Sequence, residues 1–357
     1  MSDYRQRMRR QLLTLIAVSP ILVALIATPA NAKTGGGGPG ALVFVPNPVA
    51  ETGNESLTDQ KDAASAVPAS VYHQVALPAL DKSGYLNGLY ATVKSETGNA
   101  AYSPGGNFAY DRHQDEFEQV MAYYWVTQSQ LYLQSLGFGS TRPAINKRPV
   151  PVRINQYGGD NSFFRDNKTD LTFGKGGVDD AEDAEVIVHE YGHSVQNAQV
   201  PGFGTTPDSG AIGEGFSDYL AVEVSRWVAT NLGVTTHVTE ACVADWDATS
   251  YDTATDDGLY CLRRVDGTKH YPEDLHPSRQ VHADGEIWSA ALYRLRNLVA
   301  DAKTADTIII GAQFGFSAGT TFEAAARTTY AYAKSNFPTK AAAVRQAFVE
   351  RGFNVPA

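Results

Sequence analysis

His189-Glu190-Tyr191-Gly192-His193 is the stretch on which the reading of this chain turns. Histidines four residues apart on a helix share one face and can bind a single zinc ion. The flanks predict a helix from Asp183 to Gln196. Ala184, Val186, Ile187, Val188, Tyr191 and Val195 supply its apolar positions, and no proline interrupts it. Asp179, Asp180, Glu182, Asp183 and Glu185 crowd its start, where negative charge suits the positive end of the helix dipole. Pro201 and Gly202 follow its end as stop signals. Glu190 lies about 100° round the helix from His189. It cannot fully share the histidine face, but it can reach a water held at the metal, as a general base must.

Gly213-Glu214-Gly215-Phe216-Ser217-Asp218 offers the third ligand. His189, His193 and Glu214 together leave one zinc position for water, the arrangement of a catalytic rather than a structural site. Asp218 lies four residues after Glu214, points the same way, and can accept a hydrogen bond from a ligand histidine, with His189 the expected partner. Such carboxylates fix ring orientation and raise ligand basicity. The plain alternative is an acidic helix start with both carboxylates in water.

These two blocks resemble the fungalysin family, within the thermolysin-like zinc metallopeptidases. Fungalysins carry Gly-Glu-Gly-Trp-Ser-Asp where this chain has Phe216 in place of the tryptophan. Val281-His282-Ala283-Asp284-Gly285-Glu286-Ile287-Trp288 is similar to a third family block, Val-His-Ala-x-Gly-Glu-x-Trp. The resemblance covers roughly residues 106–357 and implies an α+β, thermolysin-like metallopeptidase fold. A β-rich N-terminal subdomain and a mainly α-helical C-terminal one would flank the central zinc helix.

The resemblance further implies that His282 donates to the oxyanion of the reacting carbonyl. Asn161 and Ser162, at the edge of a hairpin before the zinc helix, would bind substrate backbone. Arg263 would contact a substrate carbonyl, although Arg264 beside it leaves the alignment ambiguous. It departs in one respect: no tyrosine lies between His193 and Glu214, where thermolysin has a catalytic one. Thermolysin relatives use calcium, and carboxylates cluster at 179–185 and 252–257, so structural calcium stays open alongside one catalytic zinc. There is no EF-hand loop.

The chain has 357 residues and a formal charge of −10. Four arginines and one aspartate give the first 32 residues +3, so the remainder carries about −13, which argues against nucleic-acid or anionic-membrane partners. Protein or peptide substrates are the expected partners, and a monomer the expected state. Arg5 to Arg10, the apolar Leu12 to Ile26 and Ala30-Asn31-Ala32 read as a signal peptide over 1–32. Export to the extracellular space or a periplasm follows, with no stable membrane insertion after cleavage; a retained anchor is the alternative. Cys242 and Cys261 are the only cysteines. In an exported protein they most simply form one disulfide, closing a polar loop expected near the substrate cleft, and zinc ligation by cysteine is the alternative.

Residues 33–104 read as a linker with a short β-rich segment, and 105–357 as the catalytic domain, with a subdomain cleft near 197–210. Leu42–Val45, Val71–Val75 and Leu89–Val93 have strand composition. Helical spacing marks Asp115–Leu136, Ile212–Val228, Glu286–Leu298, Phe322–Ser335 and Ala341–Arg351. The leading expectation is a secreted zinc endopeptidase with Glu190 as base. Its rivals are a non-catalytic secreted or cell-surface binding protein on the same fold, and a zinc aminopeptidase.

Overall fold

The computed structural model describes residues 40–95, 98–155, 158–252, 254–255 and 257–357. The expected leader and the glycine run at 35–38 lie outside them. Strand β1 (Ala41–Val43) is followed by the short helix α1 (Pro48–Thr52) and pairs antiparallel with β2 (His73–Val75). Next come β3 (Ala91–Ser95), the long helix α2 (Asp115–Ser135), and β4 (Val150–Ile154), β5 (Ser162–Arg165) and β6 (Asp170–Phe173). These four strands form one sheet in the order β3-β4-β6-β5. The pairs β3–β4 and β4–β6 are parallel, and β5 closes an antiparallel hairpin on β6 with Ser162 opposite Phe173 and Arg165 opposite Asp170. β5 is therefore the last strand on its side of this sheet among the described residues.

The second half is helical. Helices α3 (Ala184–Gln199) and α4 (Pro207–Leu232) precede the small ribbon β7 (Cys242–Val243) and β8 (Arg263–Arg264), with α5 (Asp245–Ala248) between its strands. Then follow α6 (Val281–Val299), α7 (Ala302–Ala312), α8 (Phe322–Asn336) and α9 (Ala341–Glu350). Mixed helix and sheet is the class expected from sequence. β3, from the 33–104 stretch, hydrogen-bonds β4 directly, so that stretch contributes to the same sheet as the strands before the zinc-type helix. The disulfide Cys242–Cys261 is formed, across a separation of 19 residues, a loop that stabilises by about 3 kcal/mol in the chain-entropy picture.

α4 starts five residues before its expected Ile212, and three further elements differ from their sequence expectation. α2 buries nearly its whole circumference, including Gln119, Thr127, Ser129 and Gln130, rather than one apolar face. Gln119 is satisfied inside: it accepts from the Ala101 amide and donates to the Asn99 carbonyl, both at 2.8 Å. α6 begins at Val281, five residues before the expected start, because Gln280 caps it by accepting from the Ala283 amide. His282 therefore stands in the first turn rather than ahead of the helix. α7 was not expected at all. Its Ile308-Ile309-Ile310 run is β-branched and buried throughout, and such a run carries no helical periodicity.

Candidate metal centre

α3 starts where Asp183 accepts the Glu185 amide at 2.9 Å, a side-chain cap that satisfies one orphan donor. Its position against α4 depends on Gly192. A Cβ there would lie 2.5 Å from Ser217 Oγ and 2.8 Å from Ser217 Cα, so only glycine lets the two backbones come this close. The same device joins α4 to α6, since a Cβ on Gly215 would lie 2.3 Å from the Gly285 carbonyl oxygen. The glycines inside the three sequence blocks thus bring His189, His193, Glu214 and His282 to one place.

The donor atoms converge. Glu214 Oε2 lies 3.2 Å from His189 Nε2, and Glu214 Oε1 lies 3.7 Å from His193 Nε2. One ligand atom from each residue falls within 4.8 Å of the other two. Two imidazole nitrogens and a carboxylate oxygen are a zinc donor set. Glu214 Oε2 is buried and makes no well-directed hydrogen bond, although His189 and His282 Nε2 stand within 3.3 Å of it. A cation satisfies such an oxygen where these rings do not, so the residues fit a metal.

Charge is organised to the same end. Burial holds the His193 ring down, to about 4, leaving a neutral lone pair. Burial would also lower His189, but Asp218 and Glu214 outweigh it and raise the ring to about 10; without a metal, the ring itself balances the carboxylates. Burial opposes ionisation of Glu214, yet His193 and His189 hold it down at about 2. For Asp218, burial is outweighed by Arg263 and His189, which keep its carboxyl well below the usual range. Glu190 moves the other way. Burial pushes it up to about 7, with His189 pulling down and Glu214 pushing up, and its Oε2 has no hydrogen-bond partner.

Asp218 Oδ1 lies 2.8 Å from His189 Nδ1. The Arg263 guanidinium donates to both oxygens of Asp218 at 2.7 Å and stands 3.5 Å from His189 Nδ1. Arg264, next along the strand, points away to Asp257 and Asp266. An open cleft of about 430 Å³ runs past the triad, and Asn161, Ser162, Glu190 and His282 line it. Arg263 and the two cysteines are not among its lining residues, though Arg263 comes from the segment just past the disulfide. Asn161 and Ser162 sit at the start of the edge strand β5, and the Ser162 hydroxyl donates to Asp180.

Two cleft residues have no counterpart in the sequence reading. Phe203, partly buried, lines the cleft from the tyrosine-free segment between His193 and Glu214. Gln196, one turn beyond His193, is 3% exposed, and neither atom of its amide has a partner. No spacing rule singles out Phe203; for Gln196 the one signal is its place three residues past His193 on the same helix.

Comparison with known proteins agrees with this geometry. The family model described as Fungalysin metallopeptidase (M36) matches residues 121–333, from within α2 to within α8. The extracellular metalloproteinase MEP of Fusarium vanettenii is 31% identical over 136 residues, covering 34% of this chain and 19% of that protein. The chain therefore matches about a fifth of the length of that relative. With the match spanning more than half of its residues, and with all three sequence blocks inside it, the chain belongs to the fungalysin metallopeptidase family.

Proposed function

We propose that this metallopeptidase is an exported zinc endopeptidase in which His189, His193 and Glu214 hold the ion. When bound, zinc polarises a peptide carbonyl and makes a water acidic enough to lose a proton near neutral pH. Glu190 accepts that proton, on the buried Oε2 that has no other partner. Its near-neutral carboxyl suits it to return the proton to the leaving amine. His282, half-exposed at the cleft, donates to the carbonyl oxygen as negative charge develops there. Asp218 fixes the His189 ring. Arg263 acts through Asp218, which it grips with two parallel hydrogen bonds. β5, the edge strand of the sheet, takes an extended substrate alongside it, with Asn161 and Ser162 meeting its backbone.

The observation that carries this reading is the convergence of the three donor atoms beside a buried carboxylate with a free oxygen. A binding protein on the same fold has no use for that carboxylate. Export is supported by the leader-like first 32 residues and by the word extracellular in the relative's name. No helix among the described residues is long and apolar enough to cross a membrane. The test is a proteome-derived peptide mixture incubated with the purified enzyme, with and without a zinc chelator. Internal cuts that vanish with chelator and return with zinc are expected. Release of single N-terminal residues would make it an aminopeptidase, and an unaltered mixture would favour the binding protein.

A further inference from the structure

Away from the zinc-type triad, three carboxylates converge from separate segments. Asp160 lies in the loop before β5, Asp180 opens the single 3-10 turn ahead of α3, and Asp247 belongs to α5. One oxygen from each falls within 4.8 Å of the other two. Three oxygens so spaced fit within a circle of radius about 2.8 Å or less, which admits an ion at calcium–oxygen distances, and three carboxylates are more than magnesium, which keeps several waters, usually takes. All three donors are hard oxygens, which select calcium over zinc.

The carboxylates lack other means of balance. Asp180 and Asp247 are 2% and 4% exposed, and Oδ1 of each is buried with no hydrogen-bond partner. Their other oxygens are engaged, by the Ser162 hydroxyl and by the Tyr251 hydroxyl at 2.8 Å. No lysine or arginine pairs with the three among the described residues. Burial first, then mutual repulsion, raises Asp180 to about 8 and Asp247 well above its ordinary range, and burial raises Asp160 to about 6.

Such a cluster is balanced either by protons or by a cation. Protonation would let one carboxyl donate to another, yet no hydrogen bond joins any two of the three among the described residues. The approach of Asp160 is also built in. Gly177 has φ +73°, and a Cβ there would lie 2.4 Å from Asp160 Oδ2. Asp160 is otherwise exposed and free to turn to water, but its carboxylate is admitted over a bare glycine toward two buried ones.

We propose that Asp160, Asp180 and Asp247 form a calcium site that pins the start of the β5 edge to the foot of α3. The remaining ligands are waters entering on the Asp160 side. The site stands on these residues alone. Its consequence for substrate, through Asn161 and Ser162, rests on the peptidase reading. The test therefore reads binding and backbone protection, not turnover. Zinc-loaded full-length protein, freed of calcium, is titrated with terbium, whose luminescence Tyr251 and Trp246 would sensitise, and the terbium is then displaced with calcium. One displaceable ion per chain is expected, with calcium affinity on the order of 10⁻⁴–10⁻³ M or tighter. Asp160→Asn, an exposed change that leaves the core intact, should weaken calcium at least about tenfold, and Asp247→Asn should abolish binding. Calcium should also slow amide exchange over residues 160–165. Absence of calcium binding in the parent, equal binding by Asp160→Asn, or unchanged exchange in that segment would overturn the proposal.

Discussion

Asp218 is the residue through which the candidate centre is held in shape. It is fully buried, meets the back of His189 and takes two hydrogen bonds from Arg263. Asp218→Asn keeps the volume but removes the charge that orients the ring. Zinc affinity is expected to fall about 10–100-fold, read as faster loss of zinc to a competing chelator; unchanged retention would show that Asp218 is only structural. His282→Ala should leave zinc in place and lower kcat about 100-fold or more, and an unchanged kcat would remove His282 from the reaction. At this scale the sequence was legible wherever spacing expresses geometry. Four-residue steps on helices marked His189 with His193 and Glu214 with Asp218. The choice between Arg263 and Arg264 was not legible. Neighbours on a strand point to opposite faces, and only the placement of β8 shows which one turns inward. Gln196 and Phe203 were missed because single cleft-facing side chains leave no periodic trace.

Among elements, the decisive contacts are α3 on α4 and α4 on α6, both made across glycine. Gly215→Ala would drive a methyl group into the Gly285 carbonyl. Overpacking of this kind costs about 1–3 kcal/mol and more where backbone must move, and here the shift would also carry Glu214 away from the histidines. A lowered melting temperature together with weakened zinc binding is the expected result, measured by thermal unfolding and metal titration; a variant with wild-type values for both would contradict the close approach. Phe216, which replaces the family's tryptophan, is 0% exposed and faces the core, so the change touches packing rather than the cleft. Helices with one apolar stripe, such as α3 and α8, were readable within a few residues. α7 and the buried circumference of α2 were not, because a helix enclosed on all sides shows no stripe.

Across the whole molecule, Asp306 ties three helices together. Its carboxyl accepts from Tyr132 of α2 and Tyr219 of α4 while sitting on α7. Burial, then Glu223 nearby, raises it from 3.8 to about 8. The folded chain therefore keeps a proton that the unfolded chain gives up between those values. This contribution to stability is complete below about pH 4 and is lost as pH rises through about 8. Asp306→Asn is neutral at every pH and should flatten the fall in melting temperature between about pH 4 and 8; parallel curves for the two proteins would mean that Asp306 does not set the slope. One comparison tests the candidate centre most directly: zinc content and peptide-bond cleavage measured together on the parent and on Glu190→Gln. One zinc per chain is expected in both, with cleavage by the variant lower by about 100–10,000-fold. Equal cleavage by the two proteins, or a parent that holds no zinc, would contradict a metallopeptidase centre built on His189, His193, Glu214 and Glu190.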